Sequence, residues 1–96
     1  MTNEEEHLLV SAVFSEHAVQ QMARRGIDED TVRATLRSPE QEGWARPGRR
    51  VFQSRHEEPG SGKRFLLRVF LDVDRTPPVV VTVYRSSKIQ RYWSAV

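Results

Sequence analysis

Tyr84, Arg85, Ser86 and Lys88 sit together where a β-branched run, Val79 to Tyr84, gives way to the closing Ile89-Gln90-Arg91-Tyr92-Trp93. Hydroxyl, phenol and cationic groups in one short stretch suit the holding of a phosphodiester, and its cleavage. Cutting RNA without a metal needs a group that draws the proton from a 2′-hydroxyl. It also needs charge stabilisation at phosphorus and a proton for the leaving oxygen. Arginine serves the second need well, because its planar fork matches phosphate oxygens. Histidine or tyrosine serves the others. Arg64 and Arg68 fall on one face of the strand pattern Arg64 to Val73, and alternation places them with Thr82 and Tyr84 on a basic sheet face. Basic groups with an interleaved aromatic can neutralise phosphates and stack a base. The same residues also fit a cross-strand ion ladder with Asp72 or Glu57.

His17 is the second candidate. With Gln21 and Arg24 it recurs at i, i+4 and i+7 on one helix face, where its near-neutral pKa suits proton transfer. An ordinary surface histidine is the competing reading. His56, at a strand end before a loop, is read as structural, and His7 receives no role. The scattered histidines and the lack of cysteine give no metal-ligand spacing, so neither a metal nor another cofactor is expected. Gly60-Ser61-Gly62-Lys63 lacks the spacing and the following helix of a phosphate loop and reads as a hairpin loop. Trp44 is placed in a loop.

These residues must be positioned by a small domain. The chain has 96 residues, enough for one core. Residues 1–13 read as a flexible N-terminal segment, although His7 to Val13 also suits a short strand; 14–96 read as a single α+β domain. Ser15 and Asp28 are placed as N-caps, each followed by acidic residues, and Gly26 as the stop of the first helix. Phe14 and Ile27 hold staple positions to Val19 and Val32. Val19, Met22 and Ala23 are expected to face inward from the first helix, Val32 and Leu36 from the second, which Ser38-Pro39 ends.

From Arg49 the period changes to alternation. Strands are expected over Arg49–His56, Arg64–Val73 and Val79–Tyr84, joined as a meander. The predicted architecture is a two-helix hairpin on a three- to four-stranded antiparallel sheet, with a short C-terminal helical turn started by Ser86 or Ser87. Phe65, Leu67, Val69, Leu71 and Val73 form the docking row, joined by Val79, Val81 and Val83.

Charge divides along the chain. Up to Gly43, four arginines meet nine carboxylates, a net of −5; from Trp44 onward eleven basic residues meet four acids, a net of +7. A basic half points to a polyanion, either nucleic acid or the acidic surface of a protein. The acidic start lacks the basic and apolar regions of a signal peptide, and no apolar run is long enough to span a bilayer, so a cytoplasmic protein without membrane contact is expected.

Phe14-Ser15-Glu16-His17-Ala18, Met22-Ala23-Arg24-Arg25-Gly26-Ile27, Ser38-Pro39-Glu40 and the closing Tyr84-Arg85-Ser86-Ser87-Lys88-Ile89 with Arg91-Tyr92-Trp93 together resemble a bacterial family catalogued as a domain of unknown function. That family in turn resembles the BrnT and RelE/ParE-like toxins of type II toxin–antitoxin systems, which pair N-terminal helices with an antiparallel sheet. The resemblance implies a metal-independent endoribonuclease acting on free or ribosome-bound RNA and restrained by an antitoxin. It marks His17, Arg24, Arg50, Tyr84, Arg85, Ser86 and Lys88. Together with Arg64 and Arg68 of the basic face, the catalytic candidates are His17, Tyr84, Arg85 and Lys88, and the RNA-binding ones Arg24, Arg50, Arg64, Arg68 and Ser86. A non-catalytic module for nucleic acid or an acidic protein, and a homodimeric structural domain, remain open alternatives.

Overall fold

Helix starts in this chain are set by their caps. In the computed structural model, which describes residues 11–94, the Ser15 hydroxyl accepts from the Ala18 N–H at 3.1 Å and starts α1, Glu16–Arg25. Gly26 ends α1 with φ of 65°, a left-handed conformation that glycine adopts without a Cβ clash. Asp28 then caps α2, Glu29–Arg37, its carboxylate accepting from the Thr31 N–H at 2.7 Å. The hairpin of helices therefore forms as expected, but α1 buries a different stripe. Ala18 and Met22 face the core, whereas Val19 is 51% exposed and Ala23 is also exposed. Small Ala18 lets α1 approach the sheet closely, and Phe14 stacks under Arg33. From α2, Val32, Thr35 and Leu36 point inward.

The sheet has five strands and is mixed, not a three- to four-stranded antiparallel sheet. Its order is β1-β5-β4-β3-β2, with β1 at Val13–Phe14, β2 at Gln41–Arg46, β3 at Arg49–Glu57, β4 at Arg64–Asp72 and β5 at Val79–Ser86. The β2–β3–β4–β5 ladder is antiparallel, and β1 adds a two-residue parallel pair to β5. Of the N-terminal segment expected over 1–13, residues 1–10 lie outside the described residues. Ala12 is buried in the core and Val13 is paired in β1. β2, QEGWAR, has almost no apolar alternation, and its strand conformation comes from pairing with β3.

β4 supplies the core row. Leu67, Val69 and Leu71 are fully buried, flanked by Phe65 and Val73, and meet Phe52 of β3. On β5 the alternation breaks. Leu71 pairs with Val80 and Phe70 with Thr82, so Val81 is an extra residue, a bulge. Val83 enters the core as expected, and Val80 enters it in place of the expected Val79 and Val81. Past the bulge regular alternation resumes, with Tyr84 beside Arg68 and Arg85 on the helix side, opposite Leu67. Beyond the two residues paired with β1, the edge of β5 is covered by α1. Gln21 Oε1 accepts from the Val83 N–H at 2.9 Å, and the Ser15 hydroxyl reaches the Val81 carbonyl at 3.4 Å.

The other face of the sheet is also covered. The closing turn α3, Ile89–Tyr92, and the residues after it lie across β2, β3 and β4. Gln53 Nε2 donates to the Tyr92 carbonyl at 3.1 Å, and Gln41 exchanges hydrogen bonds with the Ser94 backbone at 2.9 and 3.1 Å. Arg55, clamped by Glu40, holds its guanidinium 4.1 Å from the Trp93 ring centre. Leu66 is fully buried on this face, outside the main core cluster. The sheet face expected to be open and basic is thus in large part closed. Ser86 does bond into the turn before α3, accepting from the Lys88 N–H, whereas the helix itself starts at Lys88 without a side-chain cap.

Candidate functional site

α1 ends at Arg25, short of the last residues of β5, and this leaves an open cleft at one end of the molecule. Its inner lobe, about 240 Å³, lies between the turn joining the helices and the end of the β3–β4 hairpin. Its outer lobe, about 380 Å³, runs on past the ends of β4 and β5. Glu58, Phe65 and Arg85 line both. Arg25, Lys63, Arg64 and Arg85 surround the outer lobe with Ser86 and Ser87, against the single carboxylate of Glu58. The inner lobe is different in character. His56 and Phe65 form its rings, and Asp28, Glu57 and Glu58 are its acids.

Local chemistry places each of these groups. Arg85 lies over the Phe65 ring at 4.0 Å and donates to Glu58 at 3.1 Å. The hairpin loop brings Lys63 in: the Glu58 N–H donates to the Lys63 carbonyl at 2.7 Å, and the Gly62 N–H donates to the Glu58 carbonyl at 3.1 Å. Gly60 to Lys63 thus form a hairpin loop, as their sequence implies. His56 pairs with Phe65 across the hairpin and stacks on it at 5.7 Å. The Thr35 hydroxyl donates to the Thr31 carbonyl at 2.9 Å and so accepts from His56 Nε2, 3.0 Å away. Burial lowers the pKa of His56 below its ordinary 6.5, and Glu40 opposes that shift.

The expected site residues divide among separate places. Arg85, Ser86 and Arg64 line the cleft. Tyr84 and Arg68 face the other side of the sheet. Arg68 Nε donates to Gln53 Oε1 at 3.0 Å, and its guanidinium lies 4.5 Å from the Tyr92 ring centre, half-buried and desolvated. Tyr84 meets Tyr92 hydroxyl to hydroxyl at 3.3 Å, with Arg25 over its ring at 5.5 Å. The Tyr84 phenol is lowered below its ordinary range, first by the Tyr92 hydrogen bond and then by Ser86, Arg25 and Arg91, while Tyr92 is raised. Arg50, on the helix side at the far end of β3, pairs with Glu42 and lies over the Trp44 and Phe52 rings. Strand rise places it roughly 20 Å from His56. His17 and Arg24 are exposed on α1, and Lys88 is exposed beyond β5. Trp44 is not in a loop but on edge strand β2, 65% exposed.

His56 is the cleft group that sequence reasoning passed over. Counting back from the hairpin loop, Glu57 opposite Arg64 and His56 opposite Phe65, would have brought it to the docking side. Arg25 and Lys63 were likewise not singled out. Among the described residues no cluster of histidine and carboxylate groups has the make-up of a metal site, and no helix is long and apolar enough to cross a membrane.

Five strands, with α1 and α2 on one face, the closing turn α3 on the other and a basic cleft at the open end, define an α+β domain of small size. A family match covers residues 14–85, and the chain belongs to that family, described as Domain of unknown function (DUF4258). No curated protein and no solved structure matches the chain.

Proposed function

We propose that the protein is a toxin-like, metal-independent endoribonuclease, related to the RelE/ParE and BrnT toxins, that binds RNA in the cleft around Arg85. The observation that supports this reading most is the outer lobe, where four cations and two serine hydroxyls face one carboxylate. Phosphate neutralisation by such groups supplies most of the affinity for a nucleic acid. The adjoining inner lobe offers ring faces and hydrogen-bond acceptors for a nucleotide. Arg85 bridges the two lobes and is the group on which a phosphate would sit, displacing Glu58.

An antitoxin in this reading is an acidic protein that covers the same cleft. A homodimer joined along the outer edge of β2, with Trp44 in the contact, would leave the cleft open. The competing reading is a binding module without turnover, favoured by the three carboxylates of the inner lobe, which would also accept donors of a protein partner.

Titration of a fluorescent single-stranded RNA at several salt concentrations tests the proposal. Arg85→Ala is expected to weaken binding about tenfold or more and to flatten the salt dependence by about one phosphate contact. Chelator-treated protein is expected to cut that RNA, alone or with ribosomes. Equal binding by wild type and Arg85→Ala would remove the cleft from the account, and intact RNA with and without ribosomes would leave the binding module.

A further inference from the structure

We propose that His56 is the general base of the cleft, taking the 2′-hydroxyl proton of a ribonucleotide whose phosphate rests on Arg85. This rests on the RNA-cleft reading and adds to it a base, a reaction and a requirement for ribose. Of the histidines within the described residues, His17 stands exposed on α1, and His56 forms a wall of the cleft. His56 and Arg85 lie against the same Phe65 ring, so one nucleotide can reach both.

A general base needs an orienting partner as well as a location. Thr35 is fully buried, and its hydroxyl proton is committed to the Thr31 carbonyl. With that proton on Thr31 the hydroxyl accepts from His56, which assigns the ring proton to Nε2 and the lone pair to Nδ1. The charged groups around the imidazole are Glu40, the cleft carboxylates Asp28, Glu57 and Glu58, and Arg85. Burial outweighs Glu40 and keeps the ring neutral near neutral pH, which is the form a base requires.

In the step itself, Nδ1 takes the proton from O2′. A bond forms between O2′ and phosphorus, and the bond from phosphorus to O5′ breaks. O5′ takes a proton from water, and the resulting hydroxide is neutralised by the proton held on His56. The products are a 2′,3′-cyclic phosphate and a 5′-hydroxyl, with no redox change and no metal. Arg85 faces the charge that grows on the non-bridging oxygens.

The test uses the full chain, chelator-treated, and a DNA oligonucleotide carrying one ribonucleotide. Wild type is expected to cut at that residue and to leave the cyclic phosphate, while the all-deoxy oligonucleotide is bound and uncut. His56→Gln is expected to lower the single-turnover rate about 100-fold or more, far beyond any loss of binding measured in the same titration. The wild-type rate is expected to fall on an acid limb with an apparent pKa below 6.5, absent in His56→Gln. Should His56→Gln fail to fold, the wild-type acid limb and imidazole rescue of His56→Gly carry the test. A wild-type rate in His56→Gln, cleavage of the all-deoxy strand, or RNA binding without cleavage at any pH would each overturn the assignment. Loss of the RNA-cleft reading shows separately, as equal binding by wild type and Arg85→Ala.

Discussion

Arg68 and Arg85 stand on neighbouring strands, and Arg68 pairs with Tyr84, the residue before Arg85. They differ in what lies over them. Arg68 is roofed by Tyr92, hydrogen-bonded to Gln53 and backed by Phe70, 5.3 Å away. Its charge is held by ring faces and an amide, an arrangement suited to a desolvated cation whose work is to fix α3 to the sheet. Arg85, one residue of alternation away, lies at the junction of two open lobes and shares its guanidinium with a half-exposed glutamate. Positive charge alone does not make a binding face. Its cover decides, and in this chain the cover over Arg68 comes from the closing segment around Tyr92.

The largest expected effect is on the covered side. Leu66→Ala removes a fully buried side chain beneath the closing segment and is expected to cost about 2–5 kcal/mol of stability. RNA affinity, measured by anisotropy on the folded fraction, should be unchanged. Arg68→Ala leaves Gln53 Oε1 without its arginine donor and strips the Tyr92 contact, at a cost of about 1–3 kcal/mol in urea unfolding. Arg85→Ala should reverse the pattern. Its partly exposed pair with Glu58 contributes only up to about 1 kcal/mol, whereas RNA binding falls about tenfold or more. If Arg68→Ala lowered RNA affinity as much as Arg85→Ala, the contrast between the two faces would collapse.

Smaller effects sharpen the same contrast. Glu58→Gln removes the carboxylate that competes with phosphate for Arg85, so RNA affinity should rise a few-fold, read in the same titration. On the covered side, Glu40 is lowered from 4.5 to about 2, first by the Arg55 side chain and then by the Arg55 N–H. Its contribution to stability is therefore complete above pH 4.5 and lost as pH falls toward about 2. Glu40 is 38% exposed, so screening limits this to about 1 kcal/mol or less. Acid unfolding followed by circular dichroism should be less steep in Glu40→Gln over that window.

Much of the frame was legible because it depends on neighbours in sequence. Ser15, Gly26 and Asp28 announce the helices through caps a few residues long, and β4 shows its core row by simple alternation. What escaped depends on contacts distant in sequence. β2 is polar and becomes a strand by pairing with β3. The Val81 bulge shifts which valines enter the core while leaving composition untouched. His56 looked like a histidine at a loose strand end, because its partners are Thr35 on α2 and Phe65 across the hairpin. Tyr84 and Arg85 are adjacent in sequence and therefore on opposite faces, and alternation alone was sufficient to separate them.

Amide chemical-shift mapping of the folded protein during titration with single-stranded RNA tests the central claim most directly. The account predicts shifts at Gly26, Lys63, Arg64, Phe65, Arg85 and Ser86, with Gln53, Tyr92 and Ser94 left in place. Shifts centred on Gln53, Tyr92 and Ser94, with the cleft unchanged, would contradict it.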